Sequence, residues 1–334
     1  MTQHWQPLIQ DRHLAPLSGQ QQPAQLALIP IDSLGLVRLS GPDATSFLQG
    51  QVTLDVTRLD DRHARLGAHC DAKGKMQGLF RAFKQGDDLL LLQDKGAVAQ
   101  QLPALAKYAV FSKVELTDAS DTLLMLGVTG DGAEAWLGDK LGACPQGHNQ
   151  TAPLDGGLVL RLDSPFPRYL VLLSADAMAA LVKDADALWL ESGAWVGLDI
   201  LAAEPSLPAP LQGEYVPQQL NLQLLDGIAF DKGCYAGQEV VARMHYRGGN
   251  KRAMWHLAGS ADKAPQAGDA LELSLGDNFR PGGVVVASYR FGDGSLHLLA
   301  VCRNDLEGDE RFRVKGDEHS ALQLAPMPYA ITSD

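Results

Sequence analysis

Three observations predict an α+β fold for this chain. Helical and strand patterns are mixed without the strict β-α-β alternation of a doubly wound sheet. Between Leu123 and Leu188 the order is strand, helix, two strands and helix, a ferredoxin-like unit. Beyond Gly248 the texture changes to short strands divided by Gly, Asp and Pro turns, at the spacing of a small β-barrel.

The elements follow in order. Leu26 to Leu39 is apolar and broken only by Asp32-Ser33, which predicts a hairpin, and Gly41-Pro42-Asp43 opens a helix through Phe47 and Leu48. A second hairpin joins Ala64–Cys70 to Met76–Phe83 through Asp71-Ala72-Lys73-Gly74-Lys75, whose glycine suits a turn residue of positive φ. Leu89–Gln93 and Val110–Leu116 are strand-like and flank a helix at Ala97–Lys107. After the polar break Asp118–Asp121 come a strand at Leu123–Val128, a helix at Ala133–Leu141, strands at Leu158–Leu162 and Tyr169–Leu173, and a helix at Ala177–Leu188. Pro205 to Pro217 is an irregular passage. Barrel strands are expected at Ala253–Leu257, Ala270–Leu275, Gly283–Tyr289, Leu296–Val301, Arg311–Val314 and Leu322–Ala325.

With 334 residues the chain is long enough for two or three domains. No apolar run approaches the roughly 20 residues of a membrane helix, and residues 1–25 show neither a signal peptide nor an Arg-rich transit helix, so a cytoplasmic location is expected. Cys70, Cys144, Cys234 and Cys302 lie far apart, without CxxC or CxxH spacing, and nine histidines show no HxxxH pattern. Neither a disulfide framework nor a metal site is indicated. A net charge of −12 argues against broad nucleic-acid affinity, which draws on cations meeting phosphates. Local basic stretches remain, one with Lys73, Lys75, Arg81 and Lys84, another with Arg243, Arg247, Lys251 and Arg252.

The densest chemistry lies in Lys232-Gly233-Cys234-Tyr235-Ala236-Gly237-Gln238-Glu239. Val240, Val241 and Met244 suit a short helix beginning after Gly237, which would set Cys234 near its positive end with Lys232 two residues away. That setting favours a thiolate. A lone cysteine is commonly a buried structural thiol, and Lys232 is either a solvated turn lysine or a charge supporting the thiolate. The chemistry of Cys234, nucleophilic, redox or transient iron–sulfur ligation, stays open, and one thiol cannot hold a cluster alone. Glu239 and Arg243, at i and i+4, also suit a plain surface pair.

This motif resembles the signature of the YgfZ family of folate-binding proteins linked to tRNA modification. Gln49-Gly50-Gln51-Val52-Thr53, His69-Cys70-Asp71-Ala72-Lys73-Gly74-Lys75-Met76, Tyr108-Ala109-Val110-Phe111-Ser112-Lys113-Val114, Asn221-Leu222-Gln223 and Arg247-Gly248-Gly249-Asn250-Lys251-Arg252 are similar to the family in the same order. The resemblance implies the fold of the glycine cleavage aminomethyltransferase: two interleaved α+β units and a C-terminal barrel around a central channel. The expected divisions are 1–117 with 193–247 as a folate-binding unit carrying the cysteine motif, 118–192 as a second unit, and 248–334 as the barrel. It also implies tetrahydrofolate as ligand, Cys234 as a reactive thiol supported by Lys232, and a role in assembling or repairing iron–sulfur enzymes, including those that methylthiolate tRNA. Partners would be those enzymes or their assembly proteins, with tRNA involved only indirectly.

The same resemblance assigns the pterin wall. A family tryptophan falls at Leu34 here and a second is kept as Trp195; Tyr235 is a further ring-slot candidate. Lys73, Lys75, Arg247 and Arg252 are candidates for the anionic glutamate tail. In the run Asp199 to Pro205, leucine (Leu201) stands where the aminomethyltransferase has a pterin carboxylate. The alternative function, a folate-dependent one-carbon transferase or demethylase, would need a carboxylate as base, for which Asp199 and Glu204 are the nearest candidates.

Overall fold

The computed structural model describes residues 5–142, 144–276 and 278–331. A short helix, α1 (Gln6–Ile9), leads to β1 (Ala27–Ile31), β2 (Leu34–Ser40), α2 (Ala44–Gln49), β3 (Arg65–Cys70), β4 (Met76–Gln85), β5 (Asp88–Asp94), α3 (Lys95–Ala106) and β6 (Glu115–Asp118). Then come β7 (Leu124–Thr129), α4 (Ala133–Leu141), β8 (Thr151–Leu154), β9 (Gly157–Leu162), β10 (Arg168–Leu173), α5 (Ala175–Val182), β11 (Leu188–Trp189) and α6 (Gly193–Leu201). After an irregular passage and α7 (Gln238–Arg247), the chain ends in β12 (Arg252–Ser260), β13 (Ala270–Leu275), β14 (Asn278–Arg290), β15 (Leu296–Arg303), β16 (Arg311–Val314) and β17 (Ala321–Leu324).

These strands form a five-stranded sheet, β3-β4-β5-β2-β6, a six-stranded sheet, β11-β1-β7-β10-β9-β8, and a closed barrel, β12-β15-β14-β13-β16-β17. The second hairpin and all six barrel strands lie where the sequence predicts them. The first expected hairpin does not form. β1 pairs with β7 and β11 in one sheet, while β2 pairs with β5 and β6 in the other, so Asp32-Ser33 is a crossover between sheets. Both strands are apolar on two faces, and the larger sheets offer partners to each that a two-stranded ribbon cannot match. The strand expected at Val110–Leu116 is shifted to Glu115–Asp118, and Tyr108, Val110 and Phe111 stand exposed on the preceding loop. Helix α5 ends at Val182, short of the expected Leu188, which instead starts β11. β8 has no counterpart among the predicted strands.

Side-chain alternation along the strands divides the core. In β5, Leu90 and Leu92 enter the layer between the two sheets, while Leu89 and Leu91 meet the helices outside. In β10, Leu170 and Leu172 face inward, and Tyr169, Val171 and Leu173 face outward. The sheets thus stack face to face with a shared layer that also receives α6 and the barrel residues Val286, Tyr289, Leu299 and Val301. Tyr289 anchors the barrel there, its hydroxyl donating to Glu191 Oε1 (2.9 Å) and accepting the Leu17 N–H (2.9 Å).

A buried histidine pair lies beside that anchor. His256 Nδ1 is 3.1 Å from the Pro326 carbonyl, so it carries the proton, and Nε2 then accepts from His297 Nδ1 at 2.8 Å. A second proton on His256 would oppose two N–H groups. Burial pulls His256 down to about 4, and it does the same to His69 in β3. Both folded values lie below the unfolded one, so this stability is complete above about pH 6.5 and is lost as pH falls toward 4. Each group contributes on the order of 3 kcal/mol to that loss. The urea midpoint should fall between pH 7 and pH 4.5, and replacing His256 by Gln should flatten the curve; equal midpoints at both pH values would refute the assignment.

Candidate functional site

Two overlapping hollows, with empty volumes of about 780 and 530 Å³, share Leu34, Asp94, Trp195, Asp199, Glu204 and Ser206 and form one cavity between the sheets, α6 and the barrel. Leu34 enters it from the first residue after the crossover, and Trp195 from the first turn of α6. Leu66, Leu79, Leu92, Leu160, Leu162 and Leu170 supply the apolar wall from the two sheets.

The Trp195 ring is fixed from two sides. At Gly127 of β7 a Cβ would lie 2.7 Å from Trp195 Cε3, so the strand must have no side chain where the indole packs. The Arg168 guanidinium lies 4.6 Å from the ring centroid. Arg168 is 1% exposed, and its charge is met by Asp199 Oδ1 at 2.7 Å, while Nε donates to the Ser164 carbonyl (2.9 Å). A second buried pair, Arg81 with Glu204, sits on the same wall, and Arg81 also donates to Asn149 Oδ1.

Burial pushes the Asp199 carboxyl above its usual range, with Arg168 pulling the other way. Asp94, at the end of β5, is raised by burial as well, although it accepts backbone N–H groups of Ala97 and Gly96. The cavity therefore joins an apolar lining to three carboxyl groups, two of them held by guanidinium. Sequence reasoning found Asp199 and Glu204 but missed Asp94, Arg81 and Arg168. A charged residue at the end of an apolar strand run, as at Asp94 after Leu89–Leu92 and Arg168 before Tyr169–Leu173, is the signal that could have found them.

The cysteine motif lies elsewhere. Cys234 is exposed, Cys70 and Cys302 are buried, and Cys144 is half-buried. Burial raises the thiol pKa of the other three, to about 12 at Cys302. Cys234 is the accessible thiol among the four. Gly237 precedes α7 with φ of 79°, and a Cβ there would lie 2.4 Å from the Asp71 carbonyl oxygen, so the thiol loop rests on the β3–β4 turn only because of this glycine.

Lys232 holds the loop from the other side. Its Nζ donates to the carbonyls of Gln49 (2.8 Å), Val52 (2.8 Å) and Leu54 (2.7 Å), which accounts for all three ammonium protons. The expected support of a thiolate by Lys232 is thus replaced by a clamp on the backbone after α2. Burial lowers its pKa to about 8, opposed by Asp55. Tyr235 is buried with its ring centroid 5.2 Å from Nζ. Three sequence motifs, at 49–53, 69–76 and 232–239, therefore meet at one place.

The structure brings Leu34 and Trp195 together in the cavity, whereas Tyr235, Lys73, Lys75 and Arg247 do not line it. Lys75 Nζ donates to the Glu214 carbonyl (2.6 Å), and Arg247 is exposed in the last turn of α7. Arg252 lines a separate groove on the barrel. Among the described residues one group could chelate an ion, the mostly exposed Asp262, Asp317 and His319, but Asp317 also accepts backbone N–H groups of Asp262 and His319.

Comparison with known proteins agrees with this architecture. Residues 250–317 match the family model for the YgfZ β-barrel domain. The chain is 42% identical over 326 residues to the tRNA-modifying protein YgfZ of Pectobacterium atrosepticum, covering 96% of this chain and 98% of that one. It is 41% identical over 309 residues to the protein of the same name from Klebsiella pneumoniae, covering 92% and 94%. The crystal structure of glycine cleavage system aminomethyltransferase T from Bartonella henselae superposes with a TM-score of 0.70 at 16% identity, over 92% of this chain and 87% of that one, which shows a shared fold. Near-complete coverage at such identity establishes that the chain belongs to the YgfZ family of tRNA-modifying proteins.

Proposed function

We propose that this protein binds tetrahydrofolate in the central cavity and uses Cys234, outside it, to support the assembly or repair of iron–sulfur enzymes, including those that methylthiolate tRNA. The observation that carries the reading is the cavity itself. A reduced pterin presents an aminopyrimidinone edge of N–H donors and a largely apolar body. The carboxyl groups of Asp94, Asp199 and Glu204 are acceptors for such an edge, and Leu34, Trp195 and the leucines of both sheets match the body. Bound folate would supply a one-carbon carrier; this chain's residues orient it and exclude water.

The division between cavity and thiol favours an accessory role over an independent one-carbon transfer. Asp199 and Glu204 are each engaged by a guanidinium, and Asp94 accepts the backbone N–H groups of Ala97 and Gly96, so all three carboxyl groups are already committed to partners. Cys234 is exposed on a loop clamped by Lys232, which suits contact with another protein. Cluster chemistry there would draw its remaining ligands from the partner.

Calorimetric titration with tetrahydrofolate tests the cavity. Replacing Trp195 by Ala should weaken binding at least tenfold, since loss of an aromatic wall removes its buried contact area. Undiminished affinity in that variant would place folate elsewhere or nowhere on the protein.

A further inference from the structure

A second concavity lies on the barrel, away from both the cavity and the thiol. It runs between the start of β12, the end of β15 and the first half of β14. Lys251, Arg252, Arg280 and Arg303 line it, all exposed. Arg303 is held by Asp305, with Nε to Oδ1 at 2.5 Å and Nη2 to Oδ2 at 3.0 Å. Among the described residues, Lys251, Arg252 and Arg280 make no ion pair within 4 Å, and the Asp305 carboxylate, which also feels the charge of Arg280, is spent on Arg303. The nearby Glu310 carboxylate accepts the backbone N–H groups of Glu307 and Gly308, which holds it to its own loop.

Three unpaired cations in one groove repel one another, and a chain of net charge −12 has acidic residues to spare for pairing them. The run from Val240 to Ser260 contains no Asp or Glu, so the segment that brings Lys251 and Arg252 to the groove carries no acidic residue of its own. The groove is also built rigidly. Asn304 Nδ2 donates to the Asn250 carbonyl (2.7 Å), Asn304 N to the Lys251 carbonyl (3.1 Å), and Asn250 Nδ2 to the Gln218 carbonyl (3.3 Å). Its floor is Leu273, Val284 and Val301 with Pro281, Gly282 and Gly283, and among the described residues no aromatic side chain lines it. Peptide hot spots centre on Trp, Tyr and Arg anchors seated in desolvated pockets, whereas the cations here all stand exposed along an open groove without an aromatic ring. A phosphodiester backbone needs only fixed cations and room to approach, and guanidinium groups match phosphate oxygens in pairs.

We propose that this barrel groove binds the phosphodiester backbone of RNA, through Lys251, Arg252 and Arg280. The choice of RNA rests on the tRNA-linked reading above; the groove and its charge do not. It places the chain itself in contact with the nucleic acid, where net charge alone predicts only an indirect link. Contacts of this kind fix position and carry no base sequence.

Fluorescence anisotropy of a labelled, unmodified tRNA transcript tests the proposal, with salt varied upward from about 50 mM. Three phosphate contacts should give a log–log salt slope of about −2 to −3. Lys251→Gln/Arg252→Gln/Arg280→Gln should bind at least tenfold more weakly and lose most of that slope. The exposed control Lys140→Gln/Lys183→Gln should bind as the parent does. Because all five positions are exposed, thermal unfolding should be unchanged in both variants. No binding by the parent at low salt, equal binding by the groove variant, or displacement of RNA by poly-glutamate at equal charge concentration would each overturn the proposal. The groove variant should retain tetrahydrofolate affinity. A parent protein that binds RNA through the groove but fails to bind folate would refute the cavity reading and leave the groove standing.

Discussion

Replacing Arg168 by Met should destabilise the protein by about 3–5 kcal/mol, the cost of leaving one member of a buried ion pair without the other. Arg168 is fully enclosed, and Asp199 Oδ1 at 2.7 Å meets its charge. The substitution also removes the hydrogen bond to the Ser164 carbonyl and the cation over Trp195. Urea unfolding at pH 7 measures the loss. Replacing both partners, Arg168→Met with Asp199→Leu, should recover much of it, because two apolar groups need no mutual compensation. A single-variant loss under about 1 kcal/mol would show that the pair is solvated in the folded protein. In the double variant the cavity would lose a carboxyl group, so folate affinity should stay low after stability returns. That separation distinguishes the structural role of the pair from its place in the ligand site.

Replacing Cys234 by Ala should abolish support of tRNA methylthiolation while leaving folding and folate affinity as they were. The side chain is exposed, so its loss should cost no more than about 0.5 kcal/mol. It lies on a loop fixed from both sides, by Lys232 on the carbonyls after α2 and by Gly237 on the β3–β4 turn, so the loop should keep its shape without the thiol. Mass spectrometry of nucleosides from cells whose sole copy is the variant gives the readout. Wild-type levels of methylthiolated nucleoside would remove Cys234 from the mechanism. An equal loss in Cys234→Ala and in a Lys232→Met variant would show that the clamp is needed for the thiol to act.

Much of the barrel is legible in the sequence because its strands are set off by Gly, Asp and Pro turns, and the pairs β13–β14, β14–β15 and β16–β17 join consecutive strands. The β3–β4 hairpin is legible for the same reason. The first pair of strands misleads because both flank a turn-like Asp32-Ser33, and only contacts with β7 and β5, many residues away, decide that they separate. Local pattern cannot report a sheet choice made by distant partners. In the cavity, Leu34 and Trp195 are reached through a family resemblance, whereas Arg81, Asp94 and Arg168 come from three strands with no common spacing. The role of Lys232 is hidden for a related reason. Its partners are main-chain carbonyls at Gln49, Val52 and Leu54, which carry no side-chain signature.

The two-residue crossover at Asp32-Ser33 has a mechanical consequence. It joins the two sheets covalently at one edge of the cavity, and it is tethered to the start of α6, where the Asp32 N–H donates to Ser192 Oγ (3.2 Å) and that hydroxyl donates to Asp32 Oδ1 (2.6 Å). The chain crosses between the sheets a second time from β6 to β7, so two short connections and this tether fix the spacing of the sheets on either side of the cavity. Leu34, directly after the first crossing, is therefore set into the cavity wall by the main chain as well as by its own packing.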